Sequence, residues 1–337
     1  MKRTLFKGLM LFIFVLSPVL SQAADAKKGD FPAKKKPIYA DLKTINLSGQ
    51  TSANFIPFWI AKNKGWFEEE FGKEGIKVNY SIFKSGPLLL ESFASGEQHI
   101  GIVGDTPAII GHTQGIKLKA IGVIGHGPKR LAILVPPNSS IKSAKELKGK
   151  RIATAKGSTA HELLALVLKE QGLGWNDVKV VNLQPGDAVI ALKTGDVDAA
   201  SIWEPTVSEA VLNGIGKILL DGTGYKLGLS LIIVNSEFAA KYPDLAVRYL
   251  KVIKRASDWR KKHARETVEI LAKETKYSGE VLKAALPKII TDVRITDKTF
   301  ADLKKSATQL RESEVLKKDA DIDALVDTQY LEKAKLQ

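Results

Sequence analysis

Residues 96–107 read Gly96-Glu97-Gln98-His99-Ile100-Gly101-Ile102-Val103-Gly104-Asp105-Thr106-Pro107, and residues 195–205 read Gly195-Asp196-Val197-Asp198-Ala199-Ala200-Ser201-Ile202-Trp203-Glu204-Pro205. Each stretch is a helix-ending glycine, a short polar turn and a small apolar strand. A carboxylate and a proline then open the next segment. The same supersecondary unit occurring twice in one chain predicts two similar α/β lobes. Two such lobes facing each other across a cleft form a clamp that closes on a ligand.

The surrounding sequence supports the scheme. Residues 44–47 read as a strand, 48–52 as a loop and 55–64 as a helix that Gly65 stops. Residues 76–83 alternate as a strand, Ser85-Gly86-Pro87 turns, and 88–94 is helical up to Gly96. The pattern restarts with a strand at 131–135, a break at Pro136-Pro137-Asn138-Ser139-Ser140, and a strand at 150–155. The following helix, 160–171, carries Ala160, Leu163, Leu164, Val167 and Leu168 on one apolar face. A strand at 178–183 and a helix at 188–193 complete this half. Alternation of this kind predicts parallel sheets. The apolar runs 131–135 and 230–234 read as the two crossings between lobes. The expected division is 41–134 for lobe 1, 135–229 for lobe 2, and 230–337 returning to lobe 1 with C-terminal helices. Tyr249, Ile253, Ala256 and Trp259 mark one helix face of that last third, which reads as structural.

The N-terminus reads as an export signal. Lys2, Arg3 and Lys7 precede a charge-free run over 9–16, and Ser21-Gln22-Ala23 offers a cleavage site after Ala23. The run is shorter than the roughly 20 residues a membrane span needs. Residues 24–40, with Lys34–Lys36 and two prolines, form a polar, flexible lead-in. The chain has no cysteine, which excludes disulfides, cysteine-based metal sites and a lipid-modified N-terminal cysteine. These features place the mature chain in a periplasm-like space. The net charge is +14, about +11 once the three basic residues of the signal are removed, and the lysines that dominate the excess cluster in the lead-in and on the helical C-terminal third. Without interleaved aromatic residues they form no nucleic-acid platform. A diffusely basic surface favours either solubility or encounter with small anions.

Strand-to-helix loops of both lobes should face the cleft. Four qualify: 49–54, 84–87, 104–107 and 156–161. Each leads into a helix whose first N–H groups and partial positive charge suit an anion. The candidate ligand contacts are Ser52, Asn54, Phe55, Ser85, Gly86, Gly104, Asp105, Thr106, Gly157, Ser158, Thr159, Ala160, His161, Trp203 and Glu204. Several have a second reading. Thr159 and Glu162 have capping-box spacing. Asp105 and Glu204 read either as helix N-terminal carboxylates or as acceptors for a ligand amine. Trp203 is either a ligand wall or core. The five histidines show no metal-ligand spacing, and no GxSxG, P-loop or GxGxxG occurs. Ser158 and His161 lack an orienting acid. The expectation is a non-enzyme without cofactor or metal.

Lys156-Gly157-Ser158-Thr159-Ala160-His161-Glu162-Leu163-Leu164 resembles the Lys-Gly-Ser-(Ser/Thr)-x-His-x-Leu-Leu stretch of the aliphatic sulfonate-binding proteins of bacterial ABC importers. The turns at 104–107 and 202–205 resemble the same family's, in the same order, and the similarity runs from about residue 44 to 221. The resemblance implies a periplasmic binding protein fold of type II, α/β and two-lobed, with two linker crossings and the ligand cleft between lobes. It implies capture of an alkanesulfonate or taurine, a small anionic organic ligand, and delivery to ABC permease subunits, with no nucleic-acid partner. Glu204 stands where the family has Asp, and Thr206 where an aromatic often follows the proline. Those departures fall on the pocket for the organic tail. The alternatives are a nitrate-like ion, an aromatic carboxylate, a thiamine-precursor pyrimidine, or an enzyme on the same fold.

Overall fold

The computed structural model describes residue 39 and residues 41–336. The export signal and nearly all of the lead-in lie outside the described residues. The first half runs β1 (Thr44–Gln50), α1 (Ile56–Asn63), α2 (Trp66–Gly72), β2 (Lys77–Phe83), α3 (Gly86–Ala94), β3 (Ile100–Gly104), α4 (Asp105–Thr113) and β4 (Leu118–Gly125). The second half runs β5 (Leu131–Val135), β6 (Arg151–Thr154), α5 (Thr159–Glu170), β7 (Lys179–Asn182), α6 (Pro185–Thr194), β8 (Ala199–Trp203), α7 (Thr206–Leu212) and β9 (Lys217–Asp221). β10 (Ser230–Asn235) follows. Helices then run to the end: α8 (Ser236–Lys241), α9 (Pro243–Lys262), α10 (Ala264–Thr275), α11 (Gly279–Ala285), α12 (Asp297–Glu312), α13 (Ile322–Leu325) and α14 (Gln329–Ala334).

Two five-stranded sheets result, ordered β2-β1-β3-β10-β4 and β7-β6-β8-β5-β9. Their layouts correspond place by place. β1 is parallel to β2 and β3, and β6 is parallel to β7 and β8. The fourth place is antiparallel in both, taken by β10 in one sheet and β5 in the other. The repeated motif therefore ends β3 in one lobe and β8 in the other, at equivalent positions.

The sequence reading of 131–135 and 230–234 as crossings needs correcting. Every residue of β5 and β10 is buried, as a strand covered on both faces demands. These runs lie inside the sheets. The chain changes lobe just before each of them, at 126–130 and 222–229.

On α5, Ala160, Leu163, Leu164, Val167 and Leu168 are all buried, the face its spacing predicts. In α9, Tyr249, Ile253 and Ala256 are buried with Trp259 at the edge, packed against lobe 1. The C-terminal region does more than pack there. Tyr277 Oη lies 2.8 Å from Thr206 Oγ1, and Lys288 pairs with Glu204, so it also grips the mouth of lobe 2. Among the described residues no helix is long and apolar enough to cross a membrane.

Candidate functional site: an anion cavity between the lobes

The carboxyl ends of β1, β2 and β3 meet those of β6 and β8 around a cavity of about 30 Å³. Its walls are Gln50, Asn54, Phe55, Gly86, Gly104, Pro107, Arg130, Leu131, Ser158, Thr159 and Trp203. All four candidate loops contribute. α3, α4 and α5 begin at this cavity with Gly86, Gly104 and Ser158–Thr159. At α4 the Asp105 N–H donates to the Leu229 carbonyl, the Thr106 N–H donates to Asp105 and Pro107 has none, so the first-turn N–H groups left for a ligand are those of α3 and α5. Ser158 Oγ caps α5 by accepting the His161 N–H at 3.2 Å.

Of the residues expected from sequence, Asn54, Phe55, Gly86, Gly104, Ser158, Thr159 and Trp203 line the cavity. Ser52, Ser85, Asp105, Thr106, Gly157, Ala160, His161 and Glu204 stand behind it. Ser52 Oγ donates to the Glu204 carbonyl at 3.1 Å and joins the lobes. Ser85 is buried beside Gly86, its hydroxyl without a partner among the described residues. Gly157 turns at φ +77° against Pro87 and Ile110, a backbone conformation that favours glycine. Ala160 is buried, its carbonyl accepting from Ser201 Oγ at 2.7 Å. His161 Nδ1 accepts the Gly157 N–H at 3.2 Å while its ring stacks on Trp175. Burial, with Lys156 nearby, pushes that imidazole down to about 4, so it is a neutral prop for the loop.

The residue missed in the sequence is Arg130, at the end of a 3₁₀ turn on the first crossing. It is 3% exposed, and neither its Nε nor its Nη1 has a hydrogen-bond partner among the described residues. Burial pulls its guanidinium down to about 10, against the pull of Asp105. A buried cation without a partner is expensive. It calls for an anion.

Asp105 is fully enclosed. It accepts from Thr106 N–H at 2.8 Å, Thr159 Oγ1 at 3.0 Å and Leu229 N–H at 3.2 Å, and pairs with Lys226 at 3.2 Å. Burial opposes its ionisation, but Lys226, the Thr106 N–H, Arg130 and Thr159 outweigh that and hold its carboxyl below the ordinary range. Glu204 accepts from Ser208 N–H at 3.1 Å and Ser208 Oγ at 2.9 Å and pairs with Lys288. It caps α7. Both carboxylates have their acceptor positions filled by protein, which leaves little for a ligand amine.

The Thr159–Glu162 capping box does not form. Ser158 is the cap, Thr159 turns across the cleft to Asp105, and Glu162 reaches Thr106 and Lys226. Tertiary partners won over local spacing. Gly104 permits this closure, because a Cβ there would strike Thr159 Oγ1. No group of metal-ligating residues occurs among the described residues.

The family model described as NMT1/THI5 like matches residues 52–267. A protein of Bacillus subtilis (strain 168), named for aliphatic sulfonates binding, is 37% identical over 335 residues, covering 97% of this chain and 96% of its own. The taurine-binding periplasmic protein of Escherichia coli (strain K12) is 30% identical over 216 residues, 63% of this chain and 65% of its own. The alkanesulfonate-binding protein SsuA from Xanthomonas axonopodis pv. citri, solved bound to MOPS, superposes with a TM-score of 0.79 at 26% identity, over 85% of this chain and 98% of that one. The two-lobed architecture, the anion cavity and these similarities agree: the chain belongs to the NMT1/THI5-like family.

Proposed function

We propose that this protein is an extracytoplasmic solute-binding protein that closes on an alkanesulfonate and presents it to the permease of an ABC importer. It is not an enzyme in this reading. The observation that carries the proposal is Arg130, a buried guanidinium whose Nε and Nη1 have no partner among the described residues, set beside the starts of α3 and α5 and the Ser158 and Thr159 hydroxyls. A sulfonate is anionic at every physiological pH and offers three acceptor oxygens to such a donor set. The relatives named for sulfonate and taurine binding support the ligand class.

A cavity of about 30 Å³ seats a compact oxyanion head and no long chain. On one side Gly157 closes against Pro87 and Ile110. On another, Trp203 is shared with a cavity of about 210 Å³ lined by Thr51, Lys84, Gln184, Asp187, Thr206 and Tyr277. The organic tail leaves over Trp203 into that space. With Asp105 and Glu204 satisfied internally, an alkanesulfonate fits better than taurine. Ligand bridging both lobes shifts the population to the closed form, which marks the loaded state. The signal read at 1–23, cleaved after Ala23, supplies the export this role requires.

A thermal-shift panel on residues 24–337, refolded free of carried ligand, tests the proposal. Ligand at a hundredfold excess over Kd adds about 2.7 kcal/mol of stability. Shifts with ethanesulfonate, longer alkanesulfonates and sulfonated buffers, and none with nitrate, phthalate or a thiamine pyrimidine, are expected. The reverse pattern would keep the clamp and discard the sulfonate. Taurine exceeding ethanesulfonate would restore an amine-recognising carboxylate.

A further inference from the structure

Behind the anion cavity a second polar centre joins the lobes. Lys226, on the second crossing, pairs with Asp105 of lobe 1 at 3.2 Å and with Glu162 of lobe 2, and all three side chains are fully buried. Thr106 Oγ1 also donates to Glu162 Oε2. Lys226 Nζ lies 3.4 Å from both Thr106 Oγ1 and Ser306 Oγ. Asp302 of α12 receives the Leu227 N–H at 3.2 Å beside them. One oxygen of this centre is left over: Glu162 Oε1 is buried with no partner among the described residues.

The enclosed charges balance before any ligand arrives. A third buried carboxylate, Glu204, is neutralised by Lys288 at the mouth of lobe 2; of the rest, Arg130 and Lys226 are the buried cations and Asp105 and Glu162 the buried carboxylates. A monoanion beside Arg130 tips that balance negative where water screens little. Thr159 lines the anion cavity and donates to Asp105 behind it at 3.0 Å, so the two centres share a wall. We propose that Glu162 takes up a proton as the cleft closes on a monoanion, so that the protein captures anion and proton together. The inference rests on the anion reading of the Arg130 cavity and holds for any monoanion seated there.

The groups facing Glu162 decide which carboxylate takes the proton. Asp105 collects two N–H donors and a hydroxyl besides Lys226 and stays ionised. Glu162 has Lys226 and Thr106 on one oxygen and, among the described residues, nothing on the other. Burial and the Asp105 charge raise its carboxyl, and Lys226 and Thr106 offset them only in part. A neutral carboxyl also suits the orphaned oxygen better than a carboxylate does. Opening the lobes draws Glu162 away from Thr106 and into water, where an ordinary glutamate is ionised at neutral pH. Closure therefore moves one proton from solvent to Glu162.

The test is calorimetric titration of the mature protein with ethanesulfonate, which does not itself titrate, in buffers of different ionisation enthalpy. The expected result is uptake approaching one proton per anion, with Kd tightening up to about tenfold per unit of acidification in the neutral to mildly acidic range. Glu162→Gln should abolish the uptake and flatten the pH dependence of Kd, while Asp302→Asn keeps both. Binding without uptake in the wild type, or uptake that survives Glu162→Gln, overturns the proposal. The wild-type titration decides even if the glutamine variant misfolds. Nitrate serves as a second probe. Uptake with nitrate and no binding of sulfonates would overturn the sulfonate reading and sustain this one.

Discussion

Arg130 and Lys226 are both buried cations, each on one of the two crossings between the lobes, and their surroundings differ completely. Lys226 has two carboxylates and two hydroxyls within reach. Arg130 has no side-chain hydrogen bond among the described residues, and Asp105 acts on it only through its field. One crossing carries a charge neutralised within the fold. The other carries a charge that its fold leaves for something outside to neutralise. A buried charge is a site when its partner is missing, and a strut when its partners are present.

The largest test of that contrast is Lys226→Met. It leaves two buried carboxylates facing each other, and breaking such a pairing typically destabilises by about 3–5 kcal/mol. Chemical denaturation should show a loss of that order in the closed, ligand-bound protein. A loss below about 1 kcal/mol would mean that Lys226 is no strut.

Arg130→Met should do the reverse. Removing an unpaired buried cation relieves desolvation, so the ligand-free protein should unfold at a higher denaturant concentration. Anion binding should weaken by about 2–5 kcal/mol, the usual loss when one partner of a buried, hydrogen-bonded charge pair is truncated. Equal affinity in a folded variant would remove the anion from Arg130 and the carrying observation from the proposed function.

Ser158→Ala is smaller and touches both properties. It deletes the α5 cap, for about 1 kcal/mol of stability. It also deletes one hydroxyl donor to the anion, for about 1.5 kcal/mol of binding. A binding loss as large as that of Arg130→Met would shift the weight of recognition from the crossing to the helix start.

This contrast also marks how far the sequence could be read. The duplicated strand-and-turn motif, the apolar face of α5 and the four helix-opening loops are local patterns, and local patterns survive in one dimension. Arg130 had no such pattern, being one basic residue among 51 Lys and Arg. Its faint signal was position, a charge set directly against the wholly apolar run Leu131–Val135. Glu162 and Lys226 lie 64 residues apart, and no periodicity joins them. Thr159 and Glu162 did have capping spacing, and it misled because each had a stronger partner across the cleft. The crossings were misplaced for a related reason. An unbroken apolar run is the mark of a doubly covered strand, and the connection lies in the more polar residues beside it.

The smallest effect separates the two crossings by pH. His161 supports the loop of the anion cavity, and Asp302 sits beside Lys226. The His161 imidazole, pushed by burial from 6.5 to about 4, stays neutral in the folded protein while the unfolded chain binds a proton. Its contribution to stability is therefore lost as pH falls from about 6.5 towards 4, by up to about 1.4 kcal/mol per unit. Asp302 has the opposite sign. Burial and the Asp105 charge push it from 3.8 up to about 6, so the folded state holds a proton that the unfolded chain releases. Its contribution is lost as pH rises from 3.8 through about 6. The two slopes oppose each other between pH 4 and 6 and mask one another in the wild type. His161→Asn, which keeps an acceptor for the Gly157 N–H, should leave a protein that loses less stability on acidification than the wild type. Asp302→Asn should lose more. Denaturation midpoints measured across that window would separate the curves, and variants that run parallel to the wild type would show that neither group titrates differently in the folded state.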